Sequence, residues 1–137
     1  GKVLGIYPEG TRSPDGRLYK GKTGVARLAL ESRAPVVPWA MINTFEMMPA
    51  GRLIPKFGIR PGVKFGKPLD FSRYYGMEAD RLVLRAVTDE IMYALMELSG
   101  QEYVDKYAAS AKIAAMRAAR AAQESEKSGQ TAGAGRG

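Results

Sequence analysis

Residues 7–13, with the sequence YPEGTRS, place charged and hydroxyl side chains around a glycine. Gly10 allows the backbone to turn sharply between the carboxylate of Glu9 and the guanidinium of Arg12. A guanidinium can bind a phosphate through two parallel hydrogen bonds, and the hydroxyl group of Thr11 adds a donor. Glu9 cannot bind a phosphate directly, but it could orient Arg12 or accept a hydrogen bond from a substrate hydroxyl group. The alternative is a surface turn with a Glu9–Arg12 ion pair, which would contribute little.

Residues 16–23, with the sequence GRLYKGKT, match a second pattern, the phosphate-binding loop G-x4-G-K-[S/T]. In such a loop, backbone N–H groups and the lysine face the phosphates of a nucleotide. The pattern requires a strand that runs directly into the first glycine, whereas turn-forming residues 12–15 intervene here. No apolar strand ends in an aspartate that could hold Mg²⁺. A phosphate-loop nucleotide-binding protein is therefore one alternative, and a plain loop that enters a helix is the other.

The composition excludes several kinds of catalytic site. The 137 residues include 21 Lys and Arg and 14 Asp and Glu, which gives a net charge of +7, and they include no His and no Cys. A histidine base, a Ser-His-Asp triad, a disulfide and a cysteine nucleophile are thus impossible within this chain. The first 70 residues carry the whole net charge, which suits an anionic partner. A non-enzymatic module that binds nucleic acid is a further alternative, although the aromatic residues form no evident stacking platform.

The elements that must position these residues alternate in type. Residues 2–7 predict a strand, residues 24–32 a helix and residues 36–42 a second strand, and together they predict a βαβ unit with a parallel sheet. Residues 53–59 and 63–69 predict a hairpin.

The clearest helix is predicted over residues 79–99, with Asp80 near its start and Gly100 just past its end. Residues 101–122 predict further helix. Within it, the basic, Ala-rich stretch 108–122 could lie on an anionic membrane. Residues 123–137 lack apolar side chains and are predicted to be disordered.

The order of the motifs resembles the glycerolipid acyltransferase family, typified by 1-acylglycerol-3-phosphate acyltransferases. YPEGTRS is similar to the third sequence block of that family, and LYKGKTG at residues 18–24 is similar to its F-K-x-G continuation into a helix. PVVPWA at residues 35–40 looks like the fourth block. The resemblance is strong over residues 1–42, less specific over residues 43–107 and absent over residues 108–137.

This resemblance implies an α/β fold, of which the chain would be the C-terminal half: a sheet covered by helices, with a C-terminal helical extension. It also implies acyl transfer from acyl-CoA or acyl carrier protein to the free hydroxyl group of a lysophospholipid, without a metal or cofactor. Arg12 would face the glycerol phosphate and Lys20 would be a second phosphate contact. The other residues carried over are those that bind the acceptor, Glu9, Gly10 and Thr11, and those that line or shape the site, Val36, Val37 and Pro38.

One departure from the family is large. The family uses a His-x4-Asp pair as its general base, and this chain has no histidine. We therefore interpret the chain as a fragment, with the acyltransferase part at residues 1–107 and the missing pair upstream of Gly1. The expected partners are a lysophospholipid, the acyl donor and, for the whole protein, a membrane surface, but not nucleic acid. The expected location is the cytoplasmic face of a membrane, with peripheral attachment or an upstream anchor.

Overall fold

The computed structural model describes residues 1–49 and 51–133, and for residues 126–133 it describes the backbone alone. Four helices and four short strands follow one another in the order β1 (Leu18–Tyr19), α1 (Gly24–Ser32), β2 (Trp39–Ile42), α2 (Thr44–Met47), β3 (Gly62–Phe65), α3 (Arg81–Ser99), β4 (Tyr103–Val104) and α4 (Ala108–Gly133), with a 3-10 turn at Ser72–Tyr74. The strands form two small sheets, in which β1 pairs with β4 in parallel and β2 pairs with β3 antiparallel. In this described part of the chain, no helix has the length and apolar content that a membrane crossing requires.

The core forms where α1 packs against α3. Each helix has a stripe of apolar residues that meets the stripe of the other, and burying such a side chain fully contributes about 1.5–3 kcal/mol. The buried cluster consists of Ala26, Leu30, Phe71, Leu84, Val87 and Ile91. Both helices are confirmed where the sequence predicts them, at Gly24–Ser32 and Arg81–Ser99.

Capping residues define both ends of α3. The carboxylate of Asp80 accepts hydrogen bonds from the backbone N–H groups of Leu82 and Val83, at 2.8 and 3.4 Å. At the other end, Gly100 adopts a left-handed conformation with φ of 69° and donates its N–H to the carbonyl of Met96. These contacts satisfy backbone groups that a helix leaves unpaired at its ends.

The predicted βαβ unit with a parallel sheet is wrong. Residues 2–7 form no strand, and β2 pairs antiparallel with β3, with Trp39 opposite Phe65. A strand needs a neighbour to bond its backbone groups, and Val3 is fully exposed. The predicted strand at 36–42 is confirmed for Trp39–Ile42, and Val36 adds an isolated bridge to Leu69.

The predicted hairpin is also wrong, because residues 53–59 form no strand and β3 takes β2 as its partner. Pro55 lacks the N–H that a ladder needs, and Gly58 has a φ of +88°, which interrupts an extended run.

The C-terminal part differs from the prediction in two ways. Residues 101–107 are not helical, because Gly100 ends α3 and Tyr103–Val104 forms β4 instead. In contrast, α4 continues beyond residue 122 to Gly133, across part of the segment for which the sequence predicts disorder. The Ala-rich stretch 108–122 before it consists largely of good helix formers, and Arg120 pairs with Glu124 one turn away at 2.9 Å. Residues 134–137 lie outside the described residues, and the prediction for them stays a prediction.

Candidate functional site

The YPEGTRS segment forms a tight turn held against the entry to α1. The N–H of Gly10 donates to the carbonyl of Tyr7 at 3.0 Å, with Pro8 at the second position of the turn. Gly10 has a φ of +71°, a conformation that side chains other than glycine rarely tolerate. The carbonyl of Pro8 accepts a hydrogen bond from the N–H of Lys22 at 2.9 Å. The turn is therefore fixed to the residues that lead into α1.

Glu9 anchors the turn to β1. Its Oε2 accepts the backbone N–H of Tyr19 at 2.8 Å. Burial raises the pKa of Glu9, and the hydrogen bond from Tyr19 opposes that rise without cancelling it. The considered Glu9–Arg12 ion pair is not formed, because the carboxylate is directed to β1. Glu9 therefore supports the turn in this structure, and its contact with an acceptor stays a prediction.

Arg12 is exposed and has no hydrogen-bond or ion-pair partner among the residues whose side chains are described. Thr11, which is half-buried, likewise has no side-chain partner in that part of the chain. An unpaired guanidinium keeps all five N–H donors for a ligand. The residue predicted to face the phosphate is thus free to do so.

Lys22 is a cation that the sequence interpretation did not assign to the site. Its Nζ lies 3.0 Å from the position that a Cβ on Gly10 would occupy, so its side chain passes directly over the turn. Lys22 is exposed, and no described side chain pairs with it. Lys22 is the lysine of the G-K-T sequence in the phosphate-loop pattern, and this match was the sequence feature that could have identified it. The structure therefore places Lys22 at the turn that carries Arg12.

Lys20, by contrast, is already paired. Its Nζ donates to Oδ1 of Asp105 at 2.7 Å, and this hydrogen bond is the main reason that the pKa of Lys20 is raised. The backbone N–H of Lys20 reaches the carbonyls of Val104 and Lys106. Lys20 thus joins β1 to the segment after α3, and the carboxylate of Asp105 already offsets its charge.

The phosphate-loop alternative does not fit this geometry. Strand β1 lies inside the matched segment, so the segment is not one continuous loop. Its backbone N–H groups are mostly used within the protein: they reach side chains of Glu9, Ser13 and Asp15 and carbonyls of Pro8, Glu102, Val104 and Lys106. A phosphate-binding loop needs such groups free to face the ligand.

A compact polar network holds the loop just before β1. Asp15 accepts from Nε of Arg17 at 2.8 Å and from the hydroxyl group of Tyr19 at 2.9 Å. Burial raises the pKa of Asp15, but these hydrogen bonds outweigh it and lower the pKa to about 2. The network fixes β1, on which Glu9 is anchored.

The three site-shaping residues have different environments. The carbonyl of Val36 accepts a hydrogen bond from the N–H of Leu69 at 2.8 Å. The carbonyl of Pro38, a buried residue, accepts one from the N–H of Gly66, also at 2.8 Å. Val37 is 45% exposed. The first two residues thus join the chain to the β3 side of the sheet, and Val37 alone presents much of its side chain to solvent.

One face of β2 lies beside the turn. Side chains alternate along a strand, so Trp39 and Met41 share this face, and their cross-strand neighbours Phe65 and Val63 extend it. The ring of Trp39 lies 6.4 Å from that of Phe65 and 5.8 Å from that of Tyr7, whose hydroxyl group contacts Sδ of Met41. This row of three rings, which the sequence interpretation did not foresee, runs from the turn along the exposed face of the sheet.

Comparisons with known proteins agree with the motifs. A family model described as Acyltransferase matches residues 1–42. The chain is 43% identical over 51 residues to the 1-acyl-sn-glycerol-3-phosphate acyltransferase BAT2, chloroplastic, of Brassica napus, a stretch that covers 37% of this chain and 15% of that protein. It is 40% identical over 68 residues to the 1-acyl-sn-glycerol-3-phosphate acyltransferase of Limnanthes alba, over 47% of this chain and 23% of that protein.

A third relative, the 1-acyl-sn-glycerol-3-phosphate acyltransferase of Cocos nucifera, is 49% identical over 39 residues, 28% of this chain and 13% of that protein. These three alignments thus span between 13% and 23% of each relative's length. No solved structure matches the chain. The comparisons confirm the resemblance of this chain to the glycerolipid acyltransferase family, and the family model places it at residues 1–42.

Proposed function

We propose that this chain supplies the acceptor-binding part of an O-acyltransferase. The reaction joins the free hydroxyl group of 1-acylglycerol 3-phosphate to the acyl group of acyl-CoA or acyl carrier protein and releases the thiol. The names of the Brassica, Limnanthes and Cocos relatives support the acceptor, because each is called a 1-acyl-sn-glycerol-3-phosphate acyltransferase. The family match covers the turn with Arg12, which supports the location of the acceptor site.

The observation that carries this proposal is the presence of two unpaired cations at one glycine turn. Arg12 is exposed without a partner within the described side chains, and Lys22 passes over Gly10. A phosphate monoester carries up to two negative charges, which a guanidinium can bind with two hydrogen bonds and an ammonium as a point charge. The glycerol phosphate would bind at this turn, with Lys22 in the role first assigned to Lys20.

The exposed apolar face suits the acyl chain that the acceptor already carries. It begins at Tyr7, in the turn itself, and continues along Trp39 and Phe65. Phe65 is 71% exposed and Val37 is 45% exposed, so their surfaces are open to an apolar ligand. Such a ligand would place its phosphate at the turn and its hydrocarbon chain along the rings.

The chain holds no histidine that could remove the proton from the acceptor hydroxyl group. In the reaction, that oxygen attacks the thioester carbonyl while a base takes its proton. We therefore expect the purified chain to show no acyl transfer on its own. Turnover by the purified chain would contradict this assignment.

The binding test compares two acceptors that differ in the phosphate. Calorimetric titration of the chain with a short-chain 1-acylglycerol 3-phosphate, below its micelle concentration, should show binding that monoacylglycerol lacks. A hydrogen bond to a charged group is worth about 1.5–3 kcal/mol, so Arg12→Ala and Lys22→Ala should each weaken binding by about tenfold or more.

Lys20→Ala is the matched control, and it should change the affinity little, because Lys20 is held by Asp105. If Arg12→Ala and Lys22→Ala weaken both ligands equally, the turn does not recognise phosphate. If Lys20→Ala has the largest effect, the original assignment of Lys20 is the better one.

The nucleic-acid alternative is tested by titrating the chain with a short oligonucleotide. If the alternative is right, the oligonucleotide should bind with strong salt dependence and displace the lipid.

The acyl donor, the membrane surface and the position at its cytoplasmic face stay predictions.

A further inference from the structure

The connection from α2 to β3 is a loop that one backbone hydrogen bond holds together. The N–H of Lys56 donates to the carbonyl of Met47, at the end of α2, at 2.8 Å. Gly51 and Gly58 have φ values of +90° and +88°, so the backbone turns there in a conformation that glycine favours. We call residues 51–60 the basic apolar loop.

Large apolar side chains project from this loop. Leu53 is 95% exposed, Ile54 is 73% exposed and Phe57 is 96% exposed. A contiguous group of such side chains on a surface marks a binding site for a partner or a membrane more often than a plain solvated surface.

The charges around the loop indicate that its partner is anionic. Between Glu46 and Asp70 the sequence has no acidic residue, but it has five basic ones, namely Arg52, Lys56, Arg60, Lys64 and Lys67. Among the described side chains, none of these five forms an ion pair. A partner should therefore combine negative charge at its surface with an apolar interior. An anionic lipid bilayer has both properties, whereas nucleic acid lacks the apolar interior.

We propose that the basic apolar loop inserts into the interface of an anionic membrane. Leu53, Ile54 and Phe57 enter the boundary of the acyl chains, and neighbouring cations such as Arg52 and Lys56 contact lipid phosphates. The proposal goes beyond the acyltransferase function, because it requires neither acceptor binding nor catalysis. It assigns the membrane contact to this loop and not to the Ala-rich α4.

The first test is flotation of the whole chain with vesicles of phosphatidylcholine, with and without phosphatidylglycerol. The chain should bind the anionic vesicles, less at high salt. The triple variant Leu53→Ser/Ile54→Ser/Phe57→Ser should lose binding by more than tenfold. Arg52→Gln/Lys56→Gln should lose about fivefold per charge, on anionic vesicles only.

The matched control is Ile113→Ser/Met116→Ser, which removes two exposed apolar side chains from α4. This variant should bind vesicles as the unchanged chain does. If it loses binding and the loop variant keeps it, α4 is the membrane contact and the proposal is wrong. If the loop variant instead dissociates an oligomer in sedimentation experiments, the loop binds a second copy and the proposal is equally wrong.

A tryptophan in the loop gives an independent readout. Phe57→Trp, in a Trp39→Phe background, should show a blue-shifted emission on anionic vesicles and quenching by brominated lipids, whereas Met116→Trp in that background should not. Unquenched emission from position 57 would overturn the proposal. Leu53→Ser/Ile54→Ser/Phe57→Ser and Arg52→Gln/Lys56→Gln, which leave Trp39 unchanged, should keep their affinity for a short-chain 1-acylglycerol 3-phosphate in solution, so the membrane proposal and the acceptor-site proposal can fail separately.

Discussion

The α1–α3 layer and the basic apolar loop contain similar side chains in opposite environments. Leu30 and Val87 in the layer have 0% exposed surface, whereas Leu53 and Phe57 in the loop are 95% and 96% exposed. Both regions are apolar in sequence, so hydrophobicity alone does not separate them. The stripes of α1 and α3 pack against each other, whereas the loop carries charges of one sign and its large apolar side chains stay exposed. The comparison teaches that an apolar run predicts burial only when a second surface is available to complete it.

For the same substitution, the comparison predicts a large loss of stability in the layer and almost none in the loop. Leu30→Ala should lower the free energy of unfolding by about 2–5 kcal/mol, because it leaves a cavity between α1 and α3. Leu53→Ala should change it by less than about 0.5 kcal/mol. Urea unfolding of both variants, followed by circular dichroism, measures the difference. Equal losses in the two variants would show that the loop packs against other residues in solution.

A smaller effect is expected at the start of α3. Asp80→Ala removes the side chain that accepts from Leu82 and Val83, and it should cost about 1 kcal/mol. Glu31→Ala, at an exposed position on α1, is the control and should stay within about 0.5 kcal/mol. Thermal unfolding of both variants provides the measurement. Should Asp80→Ala prove as mild as the control, the buried stripe and not the cap would determine where α3 begins.

The smallest effect expected is on the pH dependence of stability, at the turn that contains Glu9. This turn is intermediate between the buried α1–α3 layer and the exposed loop, because it is open to solvent but anchored to β1. Burial raises the pKa of Glu9 in the folded chain above 4.5, so the folded state holds the proton more tightly than the unfolded state. The resulting stabilisation is complete below pH 4.5 and is lost as the pH rises through the folded pKa. Glu9→Gln keeps an oxygen acceptor for Tyr19 and removes this titration.

The difference in unfolding free energy between Glu9→Gln and the unchanged chain should therefore move in favour of the variant as the pH rises through this window. Urea unfolding at a series of pH values measures it. A constant difference would mean that Glu9 is as well solvated in the folded chain as in the unfolded one.

The helices could be predicted because their signals are local. The apolar stripe and the capping residues of α3 lie within one segment, and the structure confirms them from Asp80 to Gly100. The strands could not be predicted in the same way, since a strand is defined by its neighbour. Residues 2–7 have strand-like composition but no partner within the described chain, and β3 has a partner other than the predicted one.

The candidate site shows the same limit. The sequence is enough to propose Arg12 as a phosphate contact, because that proposal depends only on a motif of a few consecutive residues. It cannot tell which of Lys20 and Lys22 is unpaired, because the partner of Lys20 is Asp105, which is 85 positions away. Spacing along the chain contains no information about that contact.

The pairing of β1 with β4 sets a lower bound on the unit that can fold by itself. The carbonyls of Glu102 and Val104 accept the N–H groups of Leu18 and Lys20, and the side-chain amide of Gln101 donates to the carbonyl of Gly16. A shortened polypeptide that stopped at Gly100 would deprive the strand beneath the turn of β4, its strand partner in the described part of the chain. Anyone who trims this domain for expression should keep the residues through position 106, far beyond residues 1–42, which match the acyltransferase family model.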